Sequence, residues 1–261
     1  MIEKLMPFWQ WAYENYFRVT SDGWEHIPDA DTSSLIVGSH NGGLAAPDMV
    51  MAMYDWFRHF GAERPVYGLM HDYMWTYYAP VAKVAVQAGG LRAHPKMATA
   101  ALKSGASVLV YPGGAQDVFR PYSQRDRIEF AGRTGFIKLA LRTEVPIVPI
   151  ISWGAHEGLV VLTEIHEPVK KLLQHNNLPW LFNIDPVVLP IYLGLPWGLA
   201  IGPLPNLPLP LPIHIRVCPP IHFERQGREA AKDREYVAEC CERVRREMQR
   251  SLDQLVQEKS Q

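Results

Sequence analysis

Four short runs of β-forming residues constrain this chain most. Leu35-Ile36-Val37, Pro65–Met70, Ser107–Val110 and Pro146–Ile151 are each separated from the next by helix-length sequence. Strands that alternate with helices in this way pair in parallel through right-handed crossovers. The expected fold class is therefore α/β: a single domain, largely parallel central sheet flanked by helices. A length of 261 residues suits one fairly large domain, and a composition of 48% apolar and 20% charged residues argues for a packed core over disorder.

The flanking pieces follow from helical periodicity. Ile2, Leu5, Phe8/Trp9, Ala12 and Tyr16 predict an aromatic amphipathic helix over residues 1–17, which packs on the core or rests on a lipid surface. Phe17–Thr20 predicts a short strand and Trp24–Pro28 a turn. Val50, Tyr54, Phe57 and Phe60 share one face of a helix that opens at Pro47 and stops at Gly61. Further helices are expected over Tyr73–Val86, Pro95–Ser104 and Gly132–Arg142. The core spans about residues 18–223, and a long charged helix follows at about 228–258.

The segment Pro179–Pro220 differs in character. It holds eleven of the twenty-two prolines, and residues 186–215 contain no Asp, Glu, Lys or Arg. An uncharged stretch of that length suggests a membrane span, but a helix cannot run through so many prolines. Unpaired backbone cannot face hydrocarbon either. The expectation is an extended apolar flap, buried against the domain or lying at a membrane interface, with no transmembrane helix.

Charge and cysteine content exclude several classes. A net charge of −1 gives no overall pull toward nucleic acid. Cys218, Cys240 and Cys241 form neither a disulfide framework nor a metal spacing, which fits a reducing compartment. No secretory signal is visible in the first residues. His156-Glu157 and His166-Glu167 lack metal-ligand spacing, and neither a Gly-x-Ser-x-Gly elbow nor a phosphate loop is present.

The chemistry is expected in Gly38–Asp48, where the strand Leu35–Val37 runs straight into His40 and then Asn41-Gly42-Gly43. Loops at the carboxyl ends of parallel strands converge, so His40–Asp48, Gly89–Arg92 and Tyr111–Gly114 are expected to share one site. A histidine beside a carboxylate serves as a general base near neutral pH, which pairs His40 with Asp48. The amides of Gly113 and Gly114 are candidate oxyanion donors, and Arg92, with Arg120 or Arg125, a candidate anion holder. The alternatives are a plain turn at Gly89-Gly90 and surface charges at the arginines.

The order of these features resembles the PlsC-type glycerolipid acyltransferase family, in its diacylglycerol acyltransferase-like branch. The matching pieces are Ser39–Gly43 with Asp48, Gly89–Arg92, Val110–Ala115 with Tyr111, Gly132–Ala140 and Val148–Ile150, covering about residues 18–155. Two departures stand out: seven residues separate His40 from Asp48 where the family has four, and Gly113 stands where the usual Phe-Pro-Glu-Gly motif has glutamate. The resemblance implies an acyltransferase that moves a fatty acyl group from a thioester to the hydroxyl of a glycerolipid or lipid alcohol. His40 would be the base, and acyl-CoA or acyl carrier protein the co-substrate rather than a cofactor. The apolar flap and the N-terminal helix, for their part, predict peripheral attachment to the cytoplasmic side of a membrane. A lipid or thioester hydrolase using the same histidine, and a non-catalytic lipid-binding protein, are the alternative readings.

Overall fold

In the computed structural model, which describes residues 2–71, 74–75, 79–180 and 183–260, seven strands form one twisted sheet in the order β1-β10-β6-β2-β5-β3-β4. They are β1 (Thr20–Asp22), β2 (Leu35–Gly38), β3 (Val66–Met70), β4 (Gly90–Arg92), β5 (Ser107–Val110), β6 (Ile147–Trp153) and β10 (His214–Val217). Every pairing is parallel except that of β10 with β6. The expected mixed α/β architecture with a largely parallel sheet is thus present.

Period-two alternation along β2 explains the layers. Leu35 and Val37 point into one core with Val108, Ile147, Phe136 and Val244, while Ile36 points into the other with Met51, Tyr54, Trp56 and Leu109. The first face is covered by helices over Pro95–Lys103, Gly135–Thr143 and Arg234–Lys259, the second by those over Ile2–Trp11 and Pro47–Phe60. On the long terminal helix Val237, Val244, Met248, Leu252 and Leu255 all face inward. Asp233 caps its start by accepting from the Tyr236 amide, which satisfies one of the otherwise unpaired N–H groups of the first turn.

Several boundaries differ from those read in the sequence. The first strand lies at Thr20–Asp22 rather than Phe17–Thr20, because Ala12–Tyr16 continues the first helix as a π-helical turn and Arg18 takes a φ of 43°. The Gly132–Arg142 helix begins at Gly135, and the terminal helix at Arg234, after a separate turn of helix at Gly227–Ala230. The side chains of Ile2 and Leu5, expected to face inward, and residue Tyr73, where a helix start is expected, are not among those described; a helix runs over Ala79–Gln87.

The proline-rich segment is extended, as expected, but it is paired. β8 (Pro190–Gly194) and β9 (Gly198–Ile201) make a hairpin that joins β7 (Val160–Glu164) in a three-stranded antiparallel sheet. One face of this sheet is buried through Val161, Tyr192 and Ala200, together with Phe119 and Leu159. The other exposes Leu162, Leu193, Leu199 and Ile201. No helix among the described residues is long and apolar enough to cross a membrane.

Candidate active site

β2 is the point where the chain order of the sheet reverses: β3, β4 and β5 lie to one side and β6 to the other. Ligands in open α/β sheets bind at such a point, beyond the carboxyl ends of the strands. β2 delivers Ser39 and His40 there, and β5 delivers Tyr111–Gly114. The register pairs Val37 with Val110, so Gly38 lies beside Tyr111. A Cβ on Gly38 would stand 2.3 Å from the Tyr111 ring. Bare backbone at Gly38 lets that ring lie against His40, with centroids 4.5 Å apart.

His40 and Asp48 meet. Asp48 Oδ2 lies 3.2 Å from His40 Nδ1 and accepts the Asn41 N–H at 2.9 Å. The seven intervening residues fold into a 3-10 turn at Gly43–Ala45 and a left-handed residue, Ala46, which starts the Pro47–Phe60 helix back toward the histidine. Asp48 sits in the first turn of that helix, where a carboxylate is favoured by the exposed amides. It is buried, and its Oδ1 has no hydrogen-bond partner among the described residues.

The loop is braced from the proline-rich segment. Asn206 donates from Nδ2 to the Gly42 carbonyl at 3.0 Å and accepts the Ala45 N–H at Oδ1, 3.2 Å. Gly43 takes a φ of 74°, and a Cβ there would meet Asn206 Oδ1 at 2.5 Å, so glycine is required on both counts. Asn41 is held in turn by Ser152 at the end of β6, its Nδ2 donating to Oγ at 3.0 Å.

A second carboxylate, Asp117, lies behind the histidine. It accepts the backbone N–H of His40 and the Ser39 hydroxyl, and it pairs with Arg120. Burial pushes the Asp117 carboxyl up to about 6, against the pull of the Arg120 guanidinium and the His40 N–H. Burial opposes charge on the His40 ring, yet the Asp48 carboxylate and its hydrogen bond, with the charge of Asp117, raise His40 above its ordinary value. Burial, then the Asp48 and Asp117 charges, push the Tyr111 hydroxyl well above the ordinary tyrosine range, so it stays neutral.

The other sequence candidates sit differently from expectation. Arg120 is not an open anion holder: it is buried, and its guanidinium donates to His40 O, Asp117, Asn41 Oδ1, Gln124 O and Arg125 O. Gly89–Arg92 is not a loop of the site. Gly90–Arg92 forms edge strand β4, three strands from β2 and so roughly 14 Å away, where the Arg92 guanidinium lies over the Trp75 ring. Gly114 closes a turn, its N–H donating to the Tyr111 carbonyl at 3.2 Å. Gly113 has no room for a side chain, since a Cβ would lie 2.3 Å from that of Asp117.

Sequence reasoning missed Asp117, Asn206 and Arg133. Arg133 is the guanidinium that actually adjoins the glycine loop, donating to the Pro112 and Gly113 carbonyls at 3.2 and 2.6 Å. Asp117 carried one available signal: it falls one helical turn after Gly113, on the helix Gly114–Val118. Asn206 carried none beyond being a polar residue in an apolar stretch.

This arrangement is an imidazole whose Nδ1 faces a buried carboxylate and whose Nε2 bonds to no described residue. It suits proton abstraction from a substrate hydroxyl. It does not suit a serine nucleophile, because the Ser39 hydroxyl is buried and turned to Asp117. Among the described residues no group of His, Cys, Asp and Glu is arranged to hold a metal ion.

Comparison with known proteins agrees with the fold. The family model for diacylglycerol acyltransferase matches residues 70–250, a span that takes in Tyr111–Gly114 and Asp117 and begins after His40 and Asp48. An uncharacterized protein of Mycobacterium tuberculosis is 30% identical over 250 residues, covering 96% of this chain and 65% of the relative. One of Mycobacterium leprae is 28% identical over 253 residues, covering 97% and 64%. The chain thus spans a little under two thirds of the length of these relatives. The crystal structure of the 1-acyl-sn-glycerophosphate (LPA) acyltransferase PlsC from Thermotoga maritima is similar in fold, with a TM-score of 0.52 at 17% identity, over 97% of this chain and 79% of that one.

Proposed function

The chain belongs to the diacylglycerol acyltransferase family, and on that premise we propose that it moves a fatty acyl group from a thioester to the hydroxyl of a glycerolipid or lipid alcohol. The donor is acyl-CoA or acyl carrier protein. The observation that carries the reading is the approach of His40 Nδ1 to Asp48 Oδ2 at 3.2 Å, at the switch point of the sheet.

With Nδ1–H donated to Asp48, the lone pair of His40 sits on Nε2, and that nitrogen takes the acceptor's hydroxyl proton. The freed oxygen attacks the thioester carbonyl and forms a tetrahedral oxyanion. The intermediate collapses with cleavage of the C–S bond, and the imidazolium returns its proton to the thiolate. Asp48 balances the imidazolium while it exists. The Gly114 amide is engaged with Tyr111, which leaves the Gly113 amide as the oxyanion donor of this reading.

Peripheral attachment to the cytoplasmic face of a membrane belongs to the same proposal. It is supported by the outer face of the β7–β8–β9 sheet, where Leu162, Leu193, Leu199 and Ile201 are exposed beside Trp197. Uncharged sequence over residues 186–215 fits contact with lipid.

The test is a panel of lysophosphatidate, monoacylglycerol, diacylglycerol and a long-chain alcohol, each with labelled palmitoyl-CoA. Ester formation that needs an acceptor, and a loss of about 10²–10⁴-fold in purified His40→Ala, are expected. Free fatty acid at the same rate with and without acceptor would identify a hydrolase instead.

A further inference from the structure

The polar groups around His40 divide into two sets that hold different parts of the residue. Asp48 holds the ring. Asp117 and Arg120 hold the peptide: Asp117 Oδ2 accepts the His40 N–H, and Arg120 Nη1 donates to the His40 carbonyl at 3.0 Å while also meeting Asp117 Oδ1. Ser39 adds its hydroxyl to the same carboxylate, and Arg120 Nη2 reaches Asn41 Oδ1. The three residues that leave β2 are thereby tied to one buried ion pair. Neither side chain is open to solvent, and the bare Gly113 provides the room that Asp117 fills.

We propose that Asp117 is a positioning residue for the base, gripping with Arg120 both backbone polar groups of His40 while Asp48 grips the ring. The inference rests on the reading of His40 as the general base. A buried ion pair is on average no more stabilising than apolar packing of the same volume. What the pair supplies here is a fixed origin for the imidazole, and a displacement of about 1 Å in a catalytic group costs on the order of 10²-fold in rate. The charged groups facing the His40 ring are Asp48 from the Pro47–Phe60 helix and Asp117 and Arg120 from the segment after β5; the Tyr111 ring facing it is neutral.

Asp117→Asn keeps an oxygen for the His40 N–H but removes the charge. The experiment measures kcat, KM and the pH profile of kcat/KM on purified protein, with labelled palmitoyl-CoA and the panel acceptor that the wild type esterifies fastest. The expected result is a fall of about 10²-fold in kcat with KM unchanged, because Asp117 lies behind the base and not against substrate. The acid limb moves to lower pH, since one of the two carboxylates favouring the imidazolium is gone. Asp117→Asn/Arg120→Met removes both charges and avoids an uncompensated buried guanidinium, so it carries the test where the single variant fails to fold. In it the acid limb returns toward wild type while kcat stays low. A folded Asp117→Asn protein with wild-type kcat and a superimposable profile overturns the proposal, as does wild-type kcat in the double variant. His40→Ala separates the two readings. If it is inactive while Asp117→Asn is normal, only the positioning role fails; if it turns over at the wild-type rate, the base assignment fails and this inference with it.

Discussion

Asp48 reaches His40 across seven intervening residues, bringing Oδ2 to 3.2 Å from Nδ1 while the same oxygen accepts the Asn41 N–H. The widened spacing is absorbed by the 3-10 turn at Gly43–Ala45 and by Ala46, whose φ of 46° points the helix start back at the histidine. One carboxylate oxygen therefore holds both the ring and the loop that carries it.

Asp48→Asn is expected to lower kcat by about 10²–10⁴-fold, as when the carboxylate partner of a catalytic histidine becomes an amide. The same change removes the partner charge that favours the imidazolium. The acid limb of kcat/KM therefore moves to lower pH, and titration of activity across that limb checks it. A limb that stays in place would mean that Asp48 does not set the protonation of His40.

Asn206→Ala removes two hydrogen bonds that tie the proline-rich segment to the His40–Asp48 loop. The loss leaves the Gly42 carbonyl and Ala45 N–H unpaired, at a cost of about 1–3 kcal/mol. Thermal unfolding is expected to show this as a lowered Tm. Activity is expected to fall more than Tm alone explains, because the affected turn separates His40 from Asp48.

Replacing Leu193, Leu199 and Ile201 together by serine tests the proposed contact of the β7–β8–β9 sheet with lipid. These side chains are exposed, so the Tm should stay close to wild type. Burying each in lipid contributes on the order of 1.5–3 kcal/mol, so sedimentation with phospholipid vesicles should drop at least about tenfold. Wild-type protein should leave membranes in high salt or alkaline wash; a strict need for detergent would contradict peripheral attachment.

His156 predicts an acid-sensitive fold. Burial, and then the Arg120 charge, lower its pKa from 6.5 to about 3. The folded chain resists a proton that the unfolded chain accepts, so the stability linked to His156 is complete above 6.5 and is lost as pH falls toward about 3. His156→Gln keeps a donor for the Arg120 carbonyl, which His156 Nε2 meets at 3.1 Å. Its Tm should fall less than that of wild type between pH of about 7 and 4.

Much of this molecule is legible locally. β2, β5 and β6 announce themselves as β-branched runs, and the Pro47–Phe60 helix by its proline, its apolar face and Gly61. Such signals depend on the period of neighbouring side chains, which a strand or a helix imposes on its own sequence. The Gly89–Arg92 segment shows where that fails. Two glycines read as a loop, yet Gly90 lies in an edge strand because β3 offers it a parallel partner at Gly68. A partner twenty-two residues away leaves no mark on local periodicity.

The sequence by itself determined the fold class, the strand that presents His40, and the veto on a helix through the proline-rich segment. These depend on interactions among residues a few positions apart. The tertiary structure alone decided which groups surround the histidine. Asp117 comes to it from 77 residues away and Arg120 from 80, and Asn206 spans 164 residues to reach Gly42. Strand order and register bring these groups together, and a long-range hydrogen bond requires only that each partner be polar. Hence Arg120 read as a clamp for substrate and stands as a brace for the His40 backbone, and Asp117, which no pattern singled out, holds the same peptide.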